Sequence, residues 1–178
     1  MKVEDTVLVV IDVQGNLAMG MPNRETLFRN LRILIEGSRE LNVPIILTEQ
    51  VPTKLGETIG EIREVLPGVP ALEKSAFSCC GCEMFRRELK GTGRRTVVLA
   101  GMETHVCVYQ TAIDLIAEGY RVEIVSDAVS SRKEENKRVA LERMQRAGVQ
   151  ITSVEMVLFE LMRTAENPVF RNVAKLVK

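Results

Sequence analysis

Val7-Leu8-Val9-Val10-Ile11 runs without a polar side chain and stops at Asp12. A strand wetted on one face alternates apolar and polar residues. A strand apolar on both faces lies between two helical layers, as parallel strands do. The same signature recurs in Val43-Pro44-Ile45-Ile46-Leu47-Thr48 and in Thr96-Val97-Val98-Leu99-Ala100, the latter closed by Gly101. It returns in Val122-Glu123-Ile124-Val125-Ser126, closed by Asp127, and in Val149-Gln150-Ile151-Thr152. A short extended piece within Ala71 to Phe77 supplies a sixth strand.

Helical periodicity fills the gaps. Thr26 to Leu41 sets Leu27, Leu31, Leu34 and Ile35 on one face. Cys82 to Leu89 ends before Gly91, Thr104 to Glu118 ends at Gly119, and Lys133 to Arg146 ends before Gly148. Ser153 to Thr164 and Val169 to Val177 complete the set. Strands alternating with helices predict an α/β fold. The expectation is a single domain over residues 1–178, a three-layer αβα, Rossmann-like sandwich around a mostly parallel six-stranded sheet. Val51 to Pro70, with three Pro and three Gly, reads as one long irregular connection of the kind that lines binding sites.

Composition narrows the function. The 178 residues fit one domain and bury enough core to need no disulfide staples. Lys plus Arg and Asp plus Glu are 24 each, and with aromatics at 4% and no Trp, nucleic-acid binding by charge or stacking is not expected. The apolar run at Val7–Ile11 is far below the roughly 20 residues of a membrane span, and no secretory leader is visible, so the expectation is a cytoplasmic chain with no membrane partner. Zero net charge does not hold copies apart, which accords with a homo-oligomer. Of the last helices, Met156, Leu158 and Leu161 offer one candidate contact surface, though packing on the sheet is the preferred reading.

His105 is the one histidine, which excludes zinc sites built on several. No phosphate-cradling glycine loop follows a strand. Open parallel sheets bind ligands beyond the carboxyl ends of their strands, where the strand order reverses. Asp12 ends the first strand and Cys107 opens the helix after Thr96–Ala100, so the two face each other across that crevice if the order is doubly wound. With Thr104 as N-cap, Cys107 is the third helical residue, where the dipole favours a thiolate. Plainer readings exist for each: a turn residue for Asp12, an exposed lysine for Lys74, a small buried hydrophobe for Cys107. Cys79-Cys80-Gly81-Cys82 contains a C-x-x-C that can support disulfide exchange, although ordinary packing is preferred. His105 is two residues from Cys107, a spacing that does not face it on a helix, so it is not assigned as a base.

Taken together, Ile11-Asp12-Val13-Gln14, Lys74-Ser75-Ala76-Phe77, Gly101-Met102-Glu103-Thr104-His105-Val106-Cys107-Val108 and Ser126-Asp127-Ala128 resemble the isochorismatase-like cysteine hydrolases, and Val43 to Gln50 and Gly119 to Leu161 look closest to the small isochorismatase-domain-containing proteins. The resemblance runs over nearly the whole chain. It implies a catalytic triad of Asp12, Lys74 and Cys107, a cis Met102–Glu103 peptide, and an oxyanion hole of the Glu103 and Cys107 backbone N–H groups. It implies nucleophilic acyl transfer on a small amide, carbamoyl or related C–N substrate through a covalent acyl-enzyme, with no cofactor. Nicotinamidases of this superfamily hold a metal through histidines after the second strand; Glu49 to Ile62 contains none, so no metal is expected. Gln14, Leu17, Gln50 and Phe77 are the candidate pocket residues, with Met21 and the Val51–Pro70 loop shaping it further. The alternatives are an isochorismatase-type enol-ether hydrolase, a redox protein working through Cys79 and Cys82, and a non-catalytic interaction module on the same fold.

Overall fold

Six strands hydrogen-bond in the order β3-β2-β1-β4-β5-β6, and every neighbouring pair is parallel. They are β1 Thr6–Ile11, β2 Ile45–Gln50, β3 Ala71–Lys74, β4 Thr96–Met102, β5 Arg121–Ser130 and β6 Gln150–Thr152. The structure is a computed structural model and describes residues 1–178. The helices are α1 Gly15–Met19, α2 Arg24–Glu40, α3 Pro52–Leu55, α4 Gly60–Arg63 and α5 Glu83–Gly91, then α6 Tyr109–Ala117, α7 Glu134–Arg146, α8 Val154–Met162 and α9 Phe170–Leu176.

The apolar runs divide between the two sheet faces by the period of two that a strand imposes. Leu8 and Val10 join Leu31, Leu34, Ile35, Leu158, Leu161 and Val173 on one side. Val7, Val9 and Ile11 join Phe85, Leu89, Leu115 and Met144 on the other. The result is an αβα sandwich with the sheet as its middle layer. No helix is long and apolar enough to cross a membrane. Leu158 and Leu161 are buried against the sheet, while Met156 stays exposed, so the packed reading of the last helices holds for two of the three residues.

Several boundaries move for identifiable reasons. β2 begins after Pro44, which has no N–H for the ladder, and runs on through Glu49 and Gln50. β5 does not stop at Asp127 but continues to Ser130, because Ala128 and Val129 find buried places. Val51 to Pro70 is not wholly irregular: it holds α3 and α4.

The order reverses between β1 and β4, which pair from Thr6↔Thr96 to Ile11↔Gly101. Gly101 has φ +116°, and a Cβ there would run into the Ile11 backbone. Only glycine lets the two strands close at this level. Gly101→Ala is expected to cost about 1–3 kcal/mol, read as a lower urea midpoint with unchanged slope.

Candidate functional site

Each strand that leads into the crevice ends on a polar group. Asp12 follows β1 in the left-handed region at φ +53°, a conformation Asp tolerates better than most residues. Its amide donates to the Thr48 carbonyl of β2 and its own carbonyl accepts from Gln14 N–H, so the turn is tied on both sides. Asp12 is 1% exposed. Thr48 Oγ1 donates to Oδ1 at 2.8 Å, and Lys74 Nζ donates to Oδ2 at 2.6 Å.

Lys74 is the last residue of β3 and is buried. Besides Asp12, its ammonium donates to Gln50 Oε1 at 2.7 Å and to the carbonyls of Phe77 at 3.1 Å and Ala76 at 3.3 Å. A buried charge is tolerated when it is paired and its remaining protons find acceptors, and Lys74 meets both conditions.

Cys107 arrives from β4 on a different element from the one the sequence predicts. Thr104–Val108 forms a π-helical turn capped by Glu103, and α6 starts only at Tyr109. Thr104 is therefore no N-cap: its hydroxyl is buried without a hydrogen-bond partner. The dipole argument for a resting thiolate fails as well. Burial pushes the Cys107 thiol up to about 12; the Asp12 carboxylate adds to this by its charge and by a hydrogen bond, while the Lys74 ammonium acts in the opposite sense. The resting group is a neutral thiol beside a carboxylate that can accept its proton. The structure thus brings Asp12, Lys74 and Cys107 together at the reversal point, from the ends of β1, β3 and β4.

The peptide bond between Met102 and Glu103 is cis, and the Glu103 N–H makes no backbone hydrogen bond. The Glu103 side chain is buried, with Arg132 Nε on Oε1 and His105 Nδ1 3.2 Å from Oε2. His105 is engaged by Ser131 Oγ at 3.0 Å and Asn136 Nδ2 at 3.2 Å, so its ring is committed to β5 and α7.

The candidate pocket residues lie in different surroundings. Gln14 Oε1 accepts the Gln50 N–H, and Gln14 Nε2 donates to the Gly56 carbonyl at 2.6 Å and to the Gln50 carbonyl at 3.2 Å. Gln50 donates from its amide to the Ser75 carbonyl at 2.8 Å and accepts from Lys74. Both amides are hydrogen-bonded within the protein and tie β2 to the turn after β1. Phe77 is 54% exposed, Leu17 is half-buried against the core, and Met21 is buried within it. A hollow of about 240 Å³ is lined by Val51, Pro52, Thr53, Glu73, Lys74 and Ser75 at the end of β3. No group of three His, Cys, Asp or Glu side chains is arranged to hold a metal ion. The C-x-x-C cysteines face different ways: Cys79 Sγ lies 3.9 Å from Thr48 Oγ1, and Cys82 Sγ lies 3.6 Å from the Glu73 carbonyl.

Thr48 and Thr111 are the site residues that sequence reasoning missed. Thr48 had a signal, since it is the polar residue that follows an apolar run, and β1–β2 pairing sets it opposite Ile11. Thr111 had none, because its hydroxyl donates to the Cys107 carbonyl at 2.7 Å, a backbone contact from α6 to the turn that precedes it.

Burial also pushes the Cys79 thiol up to about 11 and the Cys80 thiol up to about 12, from an ordinary value of 9.0. Below pH 9 folded and unfolded chains both keep these protons. Above it the unfolded chain loses them first, so stability falls as pH rises from 9 to 12. The Cys79 contribution is lost by about pH 11 and that of Cys80 by about pH 12. Urea midpoints between pH 8 and 11 are expected to decline, and less steeply in Cys80→Ala.

Residues 6–156 match the isochorismatase domain family. A secreted isochorismatase effector, Isc1, of Phytophthora sojae is 40% identical over 180 residues, covering 97% of this chain and 84% of that one. The structure of the MAR1 ribonuclease from Caenorhabditis elegans superposes with a TM-score of 0.94 at 34% identity, covering 99% of this chain and 91% of that one. The YcaC gene product of Escherichia coli, described as an octameric hydrolase of unknown specificity, superposes with a TM-score of 0.93 at 27% identity, over 99% of this chain and 88% of that one.

Proposed function

Because this chain belongs to the isochorismatase family of hydrolases, we propose that it is a metal-independent cysteine hydrolase of small amide, carbamoyl or related C–N substrates. The observation that carries this reading is the buried Asp12–Lys74 pair, whose two charges both act on the Cys107 thiol. A neutral nucleophile beside its base is the arrangement that acyl transfer needs.

In the proposed cycle Asp12 takes the Cys107 proton as sulfur bonds to the substrate carbonyl carbon. The Glu103 and Cys107 N–H groups receive the developing oxyanion, an interaction whose loss typically costs about 2.7–4 kcal/mol. Protonated Asp12 hands its proton to the departing nitrogen and the C–N bond breaks. Asp12 then removes a proton from water, which attacks the thioester and frees the acid and the thiol. Lys74 holds Asp12 in place and offsets negative charge on sulfur. We also place the chain in a homo-oligomer, in line with the octameric description of the E. coli relative.

A panel of small amides, ureido compounds and isochorismate, with ammonia detection, tests the reading on wild type and Cys107→Ala. Ammonia release that needs the thiol supports it. Turnover of isochorismate by both proteins favours enol-ether hydrolysis instead. The name of the C. elegans neighbour raises RNA cleavage as a second reading. Zero net charge argues against it, and RNA cut equally by both proteins would move the assignment there.

A further inference from the structure

Glu103 is a buried acid of which the proposed reaction uses only the backbone. Its side chain is 6% exposed, directly after β4, where little water reaches a carboxylate. Arg132 Nε donates to Oε1, and Oε2 is buried without any hydrogen bond. His105 Nδ1 lies 3.2 Å from Oε2, but its ring is held by Ser131 and Asn136. Arg132 is therefore the one hydrogen-bond donor that this carboxylate has. The sheet delivers it. Met102 of β4 pairs with Ser130 of β5, so Glu103 leaves the sheet beside Ser131 and Arg132. β5 reaches this level because it continues past Asp127. The Glu103 backbone is in turn a pivot for the nucleophile. Its carbonyl accepts the N–H groups of Val106 at 3.1 Å and Val108 at 3.2 Å, which flank Cys107.

We propose that Arg132 is a positioning residue for acyl transfer at Cys107: by holding the Glu103 carboxylate it fixes the Glu103 N–H as an oxyanion donor and offsets a negative charge that would oppose the oxyanion. This rests on the hydrolase reading above. Removing the guanidinium has two effects. The Glu103 side chain loses its anchor, and misplacing a group by about 1 Å can cost about 10²-fold in rate. The carboxylate is also left buried and uncompensated, on the same residue as the N–H toward which negative charge develops. Neither effect touches the Asp12–Lys74 pair, which is held by Thr48, Gln50 and the carbonyls of Ala76 and Phe77. The Arg132 side chain is largely exposed, so its removal opens no cavity and its place is open to small cations from solution.

The test compares two reactions of the same sulfur in the full chain. With p-nitrophenyl acetate, the Cys107 sulfur bonds to the acetyl carbon through a tetrahedral oxyanion, p-nitrophenolate leaves, and the thiol proton passes through Asp12 to solvent. With iodoacetamide, the sulfur displaces iodide and no oxyanion forms. Both are followed at Cys107 by mass, on the tryptic peptide of residues 96–121. Arg132→Met is expected to slow acetylation about 10–100-fold while alkylation is little changed. Glu103→Gln keeps an oxygen for Arg132 and carries no charge, so its loss is expected to be smaller. Guanidinium ion, far below denaturing concentration, is expected to restore part of the acetylation rate in Arg132→Met and to leave wild type unchanged. Equal slowing of both reactions would mean a general disturbance of the turn and would overturn the proposal. So would an acetylation rate that Arg132→Met leaves intact. Wild-type Cys107 that is acetylated no faster, relative to its alkylation, than in the urea-unfolded chain would overturn it as well. Neither reagent is an amide substrate, so a failed substrate panel and a failed role for Arg132 leave different records.

Discussion

Cys107→Ala is expected to lower ammonia release from the best amide of the panel by at least about 10⁴-fold, with its urea midpoint little changed. The magnitude follows from what the sulfur alone supplies. Without it no acyl-enzyme forms, and only the oxyanion donors and substrate positioning remain. The stability half follows from size. Replacing the thiol by a hydrogen removes one heavy atom from a site with a small opening to solvent, and Asp12 keeps Thr48 and Lys74 as partners. A change within about 1 kcal/mol is the expectation for such a substitution. Undiminished turnover would place the chemistry elsewhere.

Lys74→Ala is expected to lose both activity and stability. Asp12 would be left at 1% exposure with Thr48 as its one side-chain donor from the sheet, and the carbonyls of Ala76 and Phe77 would lose theirs. Breaking a buried ion pair from one side costs about 3–5 kcal/mol, because the remaining charge is uncompensated. Removing both charges costs far less. Lys74→Met combined with Asp12→Asn is therefore expected to regain most of the lost urea midpoint while staying inactive, which separates the packing role of the pair from its chemical one. Equal stability of wild type and Lys74→Ala would mean that the pair is solvated rather than buried.

The sheet was readable because its signal is dense. Five of the six strands announce themselves as apolar runs, and in β1, β2, β4 and β5 the two faces of the run pack into different core clusters. β3 was the weakest reading, since Ala71-Leu72-Glu73-Lys74 lies at an edge and only Leu72 and Lys74 are buried. Asp12 and Cys107 could be placed from topology once the order was assumed, and the order is observed. The π-helical turn at Thr104–Val108 could not be read, because an extra residue in one helical turn leaves the apolar spacing of Val108, Ala112 and Leu115 intact. Nor could the roles of Gln14 and Gln50. An amide side chain beside a strand-end acid reads the same in sequence whatever it contacts, and only the structure shows the paired bonds from Gln14 to the Gln50 backbone and to Gly56.

The parallel order sets a schedule for the nascent chain. Asp12 leaves the ribosome early, Lys74 midway and Cys107 well after both, and β4 must slot between β1 and β5 before acid and sulfur can meet. Until then the polypeptide carries an ordinary thiol and an ordinary carboxylate. The three side chains therefore come together in one step with the closing of the sheet, and a proteolytic fragment lacking β4 cannot assemble them.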